Sequence, residues 1–198
     1  KKIESQVAKL KSLSNEWGMC YNRCYSQKIG KSPREVQEKR EGDLYLEALK
    51  QNLFINAGSN LLLRREVFEE IGGFNESFKR YQDVEFLLRL LRIRKMAYVN
   101  EFGLICHVHP ANKSVNFDEV IKHYIDAFKT DIEALPEKDR KELYDRVNKL
   151  RFINYLHPNR DFRHAWMMIS SCEISFLTAI SILASKTSSY LINRLKSK

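Results

Sequence analysis

Apolar side chains recur at every third or fourth position near both ends of the chain, and short apolar runs broken by glycine occupy the middle. Ile3, Val7, Leu10 and Leu13 stand among Lys and Glu, which predicts a surface helix over residues 2 to 16 with one apolar stripe, ended by Gly18. Met19 to Tyr25 reads as a short strand. Residues 26 to 42 are charged, carry Pro33 and lack apolar periodicity, so a long loop is expected there. Leu44 to Leu49 reads as a helix and Phe54 to Leu63 (FINAGSNLLL) as a strand interrupted by Gly58. Arg65 to Ile71 is a short helix that Gly72-Gly73 would close with a left-handed cap. From Asp83 to Arg94, DVEFLLRLLRIR predicts a strongly apolar helix in which Glu85 and Arg89 pair one turn apart. Met96 to Val99 and Leu104 to Val108 predict two further strands.

After Asn116 the pattern is helical throughout. Asn116 and Glu119 have the spacing of a capping box, and Phe117, Val120, Ile121, Tyr124, Ile125, Phe128 and Ile132 keep a helical period up to Pro136. A second helix is expected from Pro136 to about Leu156. Ala165 to Ser185 then holds Glu173 as its one charge and is followed by Lys186, Arg194, Lys196 and Lys198. Its neutral segments fall short of the ~20 residues that a spanning helix needs, so a buried core helix or an interfacial helix on anionic lipid fits better than a span. The chain therefore divides near Asn116 into an α/β part, residues 1–115, and a helical region, residues 116–198.

Composition adds scale and charge. With 198 residues, 43% hydrophobic and 11% aromatic, the chain can bury a core and is not a disordered tail. The net charge of +9 suits an acidic partner: a nucleotide phosphate, a nucleic acid or an anionic membrane face. Cys20, Cys24, Cys106 and Cys172 are too few and too far apart for a disulfide framework, which points to a reducing compartment. Zinc held by Cys20, Cys24, Cys106, His107 and His109 is the sharper alternative to ordinary buried thiols.

Asp83 is the first candidate for chemistry, and two readings of it stand. A carboxylate at a helix start satisfies orphan amides and the dipole, which would lower its pKa. Held beside a reacting hydroxyl, the same carboxylate could accept a proton as the oxygen attacks an electrophilic carbon. The residues alone leave both open.

The run INAGSNLLLRREVFEEIGGFNESFKRYQDVEF, residues 55 to 86, resembles the acceptor-side half of family 2 glycosyltransferases of the GT-A fold. That family shows a small-residue strand, an Arg-Arg-Glu helix, a Gly-Gly-Phe-Asp/Asn-Glu turn and an acidic pair whose Asp is the base. The likeness covers about residues 1 to 115 and implies the C-terminal part of a Rossmann-like GT-A domain with a mixed sheet. It gives Asp83 the role of general base in an inverting transfer of one sugar from a nucleotide-diphosphate sugar to a polysaccharide or lipid-linked acceptor. Gln82 replaces the usual Glu before that Asp, which bears on acceptor specificity more than on the reaction. Asn56, Gly58 and Ser59, with Gln82, would line the acceptor pocket. The segment ICHVHPANKS, residues 105 to 114, is similar to the family's Arg-x-His strand end, with His109 matching the histidine and His107 standing where arginine is usual. His107, His109 and Arg89 would then approach a metal or the diphosphate.

The family holds Mg or Mn through an Asp-x-Asp in its N-terminal, donor-binding half, and this chain has no Asp-x-Asp. The opening KKIESQVAKL resembles the helix that follows that motif, so these 198 residues alone are expected to be inactive. Neither Trp17 nor Trp166 sits in the Gln-x-x-Arg-Trp of processive members, so a non-processive enzyme is expected. The resemblance also implies polysaccharide or cell-envelope synthesis in the cytoplasm or on the inner face of the plasma membrane, with contact through residues 165–198 and a homodimer as further expectations. The alternative is a non-catalytic basic module binding nucleic acid or a protein partner, although Lys and Arg alternate with acids and no stacking platform is evident.

Overall fold

The structure, a computed structural model, describes residues 1–55, 57–108, 116–156 and 160–184. Asn56 and His109 lie outside them. The chain is of mixed α/β class and forms two compact units, Lys1–Pro110 with Lys122–Ile132 and Ala111–Ile121 with Glu133–Lys198. The sequence-based division at residue 116 puts the whole of the helix that follows into the second part, whereas Lys122–Ile132 groups with the first.

The first unit is organised around one long strand. α1 (Lys2–Lys11) leads into β1 (Trp17–Lys28), which pairs in parallel along its length with β4 (Lys95–Val108). The other edge of β1 carries two short antiparallel partners, β3 (Leu61–Leu63) opposite Met19–Tyr21 and β2 (Arg34–Glu35) opposite Tyr25 and Ser26. The result is a mixed sheet of four strands. β4 is one strand where two were expected, because β1 supplies a continuous partner. The register shifts between Asn22 and Cys24 take up Asn100, Glu101 and Gly103 as bulges. Gly103 is required there, since a Cβ at that position would lie 2.4 Å from Cβ of Asn22.

The helices of this unit are α2 (Tyr45–Leu49), α3 (Ala57–Asn60), α4 (Arg65–Glu70), α5 (Gln82–Ile93) and, beyond β4, the later part of α6 (Phe117–Ala127) with most of α7 (Lys129–Glu133). α1 covers one face of the sheet, where Leu10 packs with Cys20, Ala97 and Val99. α5 buries Phe86, Leu87, Leu88, Leu90 and Leu91, as its apolar periodicity requires. Arg64, just before α4, bonds to the carbonyls of Trp17, Leu10 and Leu13 and so ties the end of α1 to the sheet. Gly72 and Gly73 adopt φ of 73° and 75°, the left-handed closure of α4 that the sequence predicts.

In the second unit, α8 (Glu137–Leu156), α9 (Phe162–Ser170) and a helical stretch at 176–184 enclose a core of Phe152, Ala165, Met168, Ile174, Ala179 and Ile182. The run expected as one helix from Ala165 is broken. Cys172 turns at φ 60° and Ser175 caps the next helix by accepting from the Thr178 amide at 3.2 Å. No helix among the described residues is long and apolar enough to cross a membrane. The Asn116 capping box forms, with Nδ2 donating to Glu119 at 2.8 Å and Oδ1 accepting from the Glu119 amide at 3.4 Å.

Candidate functional site

Residues 54 to 63 were expected to be a strand, yet 57 to 60 form a helical turn, and a buried asparagine explains why. Asn60 donates from Nδ2 to the carbonyls of Asn22 at 2.8 Å and Ile55 at 3.1 Å, while its Oδ1 accepts from the Asn22 amide at 3.2 Å. One side chain thus closes the turn and joins it to β1 where strand pairing would otherwise go. α1 braces the same turn: Gln6 donates to the Asn60 carbonyl at 2.9 Å and Lys2 Nζ to the Ser59 carbonyl at 2.6 Å. Asn60 and Lys2 are residues the sequence reading passed over. A lone amide between Ser59 and the apolar run Leu61–Leu63 was the available signal for the first, and nothing local marked the second.

This turn faces the start of α5. Gly58 and Ser59 are exposed, and a carbon placed at the Cβ position of Gly58 would lie 3.9 Å from Oδ2 of Asp83. Gly58 and the candidate base therefore share one space, and the missing side chain keeps it open. Gln82 is exposed as the first residue of α5. Asp83, the second residue, is exposed and accepts from the Val84 amide through Oδ1 at 3.1 Å. The helix cap itself is Tyr81, whose side chain does not cap and whose backbone is left-handed at φ 63°. A bulky residue held there costs about 1–3 kcal/mol, a strain that concentrates at functional sites. Burial and the charge of Asp83 push the Tyr81 phenol up to about 12, so it remains protonated beside the carboxylate.

The loop before Asp83 is fixed from several sides. Arg89 donates from Nε to Glu85 at 2.5 Å, from Nη1 to the Ile71 carbonyl at 2.7 Å, and from Nη2 to the Gly73 carbonyl at 2.7 Å and to Glu85 at 2.9 Å. Phe74 stacks on Phe86 with ring centroids 4.2 Å apart, and Phe78 is buried against His123 of α6. Tyr124 meets Tyr81 edge-on and donates to the Leu49 carbonyl at 2.6 Å.

Arg89 was expected at a metal or diphosphate. Its donors are instead engaged in the Gly-Gly-Phe turn, so its placement is that of a strut. Arg92 and Arg94 are likewise paired, with Asp131 and Glu70. His107 is exposed on β4 opposite Gln27, five positions along β1 from Asn22, or about 16 Å of strand from the Asn60 anchor. His107 is thus not brought to the Asn60 turn, and His109 and Asn56 fall outside the described residues.

No group of three or more His, Cys, Asp and Glu side chains converges among the described residues, so they do not by themselves supply a metal site. Cys20 is buried with its thiol pushed up to about 12 by burial, and none of the four cysteines is in a disulfide. Cys20 thus has the character of a buried structural thiol. A concavity of about 500 Å³ near Glu16, Arg92 and Lys95 opens at the opposite end of α5 from Asp83, and Lys95 and Glu16 pair with each other there at 2.8 Å. Comparison with models of protein families yields no match, and comparison with characterised proteins yields none either.

Proposed function

We propose that this chain is the acceptor-side part of an inverting, non-processive glycosyltransferase of the GT-A fold, with Asp83 as its general base. The observation that carries the proposal is the exposed Asp83 carboxylate facing the open space at Gly58. An acceptor hydroxyl entering over Gly58 loses its proton to Oδ2 as its oxygen attacks the anomeric carbon in line. The bond from that carbon to the donor diphosphate breaks, the nucleoside diphosphate leaves, and the new glycosidic bond has inverted configuration. Asp83 then returns the proton to solvent. Gln82 and the backbone of Gly58 and Ser59 orient the acceptor. Mg or Mn, with the donor, belongs to an Asp-x-Asp half that these residues do not include. The acceptor, a polysaccharide or a lipid-linked glycan, and a site of action on the cytoplasmic face of a membrane follow from the same reading.

The test joins these residues to a donor-binding half and supplies nucleoside-diphosphate sugars with glycan acceptors. NMR of the product at early times should show a single added sugar of inverted anomeric configuration. Retention of configuration, or processive chains, would contradict the proposal.

A further inference from the structure

The helical unit buries one side of α9 and of the stretch 176–184 and exposes large apolar side chains on the other. On α9, Ala165 and Met168 are buried while Phe162 and Trp166, one turn apart, are each 65% exposed. In the stretch 176–184, Ala179 and Ile182 are buried, while Phe176 is 62% exposed, Leu177 79%, and Ile180 and Leu183 more than 40%. Large apolar side chains in such a run mark a binding surface, because a solvated helix face carries polar residues.

The charge of the surrounding sequence selects the occupant. From residue 160 to 198 the chain has Arg160, Arg163, Lys186, Arg194, Lys196 and Lys198 against Asp161 and Glu173, six cations to two acids. Both acids are already engaged, Asp161 with His164 at 2.7 Å and Glu173 with Arg151 at 2.5 Å. Aromatic and aliphatic side chains on helices of about nine residues, in a stretch of sequence with an excess of Lys and Arg, match a segment that lies in the headgroup region of a bilayer rather than crossing it. A second copy of this chain, itself at net charge +9, matches that excess less well than an anionic bilayer does.

We infer that Phe162, Trp166, Phe176, Leu177, Ile180 and Leu183 form a docking face for an anionic lipid bilayer. The surface belongs to the helical unit alone and stands independently of the sugar-transfer reading.

The test uses the whole 198-residue chain carrying Trp17→Phe, so that Trp166 is the sole tryptophan reporter. Vesicles of phosphatidylcholine with about 30% phosphatidylglycerol are compared with pure phosphatidylcholine, by sedimentation and by tryptophan emission. The chain should sediment with the anionic vesicles, with Trp166 emission shifted to the blue, and release should follow as ionic strength rises from about 0.1 to 1 M. Phe176→Ser with Leu177→Ser should keep the helical circular dichroism and weaken binding on the order of tenfold or more. The inference is overturned if the chain ignores anionic vesicles, binds neutral ones equally, or binds undiminished with both serines. It is overturned too if light scattering finds a lipid-free dimer that the two serines dissolve. The wild-type lipid comparison decides even if that variant misfolds.

Discussion

Gly58 lies directly opposite Asp83, close enough that a methyl group on Gly58 would touch Oδ2 of the carboxylate at 3.9 Å. That distance is ordinary van der Waals contact and Gly58 is exposed, so the fold tolerates a side chain there, while a large one would fill the space over Asp83. Gly58→Ala should leave the melting temperature unchanged and reduce acceptor use modestly. Gly58→Leu should leave the fold intact and abolish acceptor binding, read as loss of oligosaccharide binding by titration calorimetry. Equal binding by the leucine variant would mean that the space over Asp83 is not used.

Arg89 separates a strut from a phosphate ligand. Lysine keeps the charge but cannot reproduce bonds to Glu85, Ile71 and Gly73 together. Arg89→Lys should therefore destabilise the first unit by about 1–3 kcal/mol in denaturant titration. Any fall in transfer should follow the loss of fold, with the KM for the nucleotide-sugar unchanged. A raised donor KM at unchanged stability would restore Arg89 to the diphosphate.

Asn60→Ala removes three hydrogen bonds and leaves the amide and carbonyl of Asn22 buried without that partner. The expected cost is ~3 kcal/mol, a large effect for an exposed-looking turn. Hydrogen exchange should show the Asn22 amide opening in this variant. Unchanged protection there would mean that β1, not Asn60, holds the turn.

What the sequence discloses about this fold depends on the range of the interaction. The α5 helix, the Glu85–Arg89 pair, the left-handed Gly72-Gly73 closure and the Asn116 capping box were legible because each is decided within about four residues. The turn at 57–60 was not, since it answers to Asn22, which lies 38 residues away. The continuity of β4 depends on a partner strand more than seventy residues earlier, and the glycine at 103 on the side chain of Asn22. At the site, Gly58, Gln82 and Asp83 could be placed together from the motif. Arg89 could not be judged, because its role lies in which carbonyls surround it. Tyr81 gave no local sign of its left-handed backbone or of Tyr124, distant in sequence, which packs against its ring.

The helical unit has a built-in acid dependence. Burial opposes ionisation of Asp118, yet hydrogen bonds from Tyr155 and Arg151 and the guanidinium charge outweigh it and hold the carboxyl below its usual value. A group depressed on folding contributes stability that is complete above its unfolded value near 4 and is lost as pH falls through the folded value. Melting of the chain should thus be flat from about pH 7 to 5 and fall below about pH 4. Asp118→Asn should lower the melting temperature at pH 7 and flatten part of the acid fall; an unchanged acid profile would assign the effect to other carboxylates.

The most direct measurement is sugar transfer by Asp83→Asn in the polypeptide joined to a donor half. Asparagine keeps the shape and the bond from the Val84 amide and cannot take a proton. Transfer should fall on the order of 10²–10⁴-fold, with donor binding, acceptor binding and melting temperature retained. Near-normal turnover would mean that Asp83 serves α5 as a helix-start carboxylate and that another group accepts the proton.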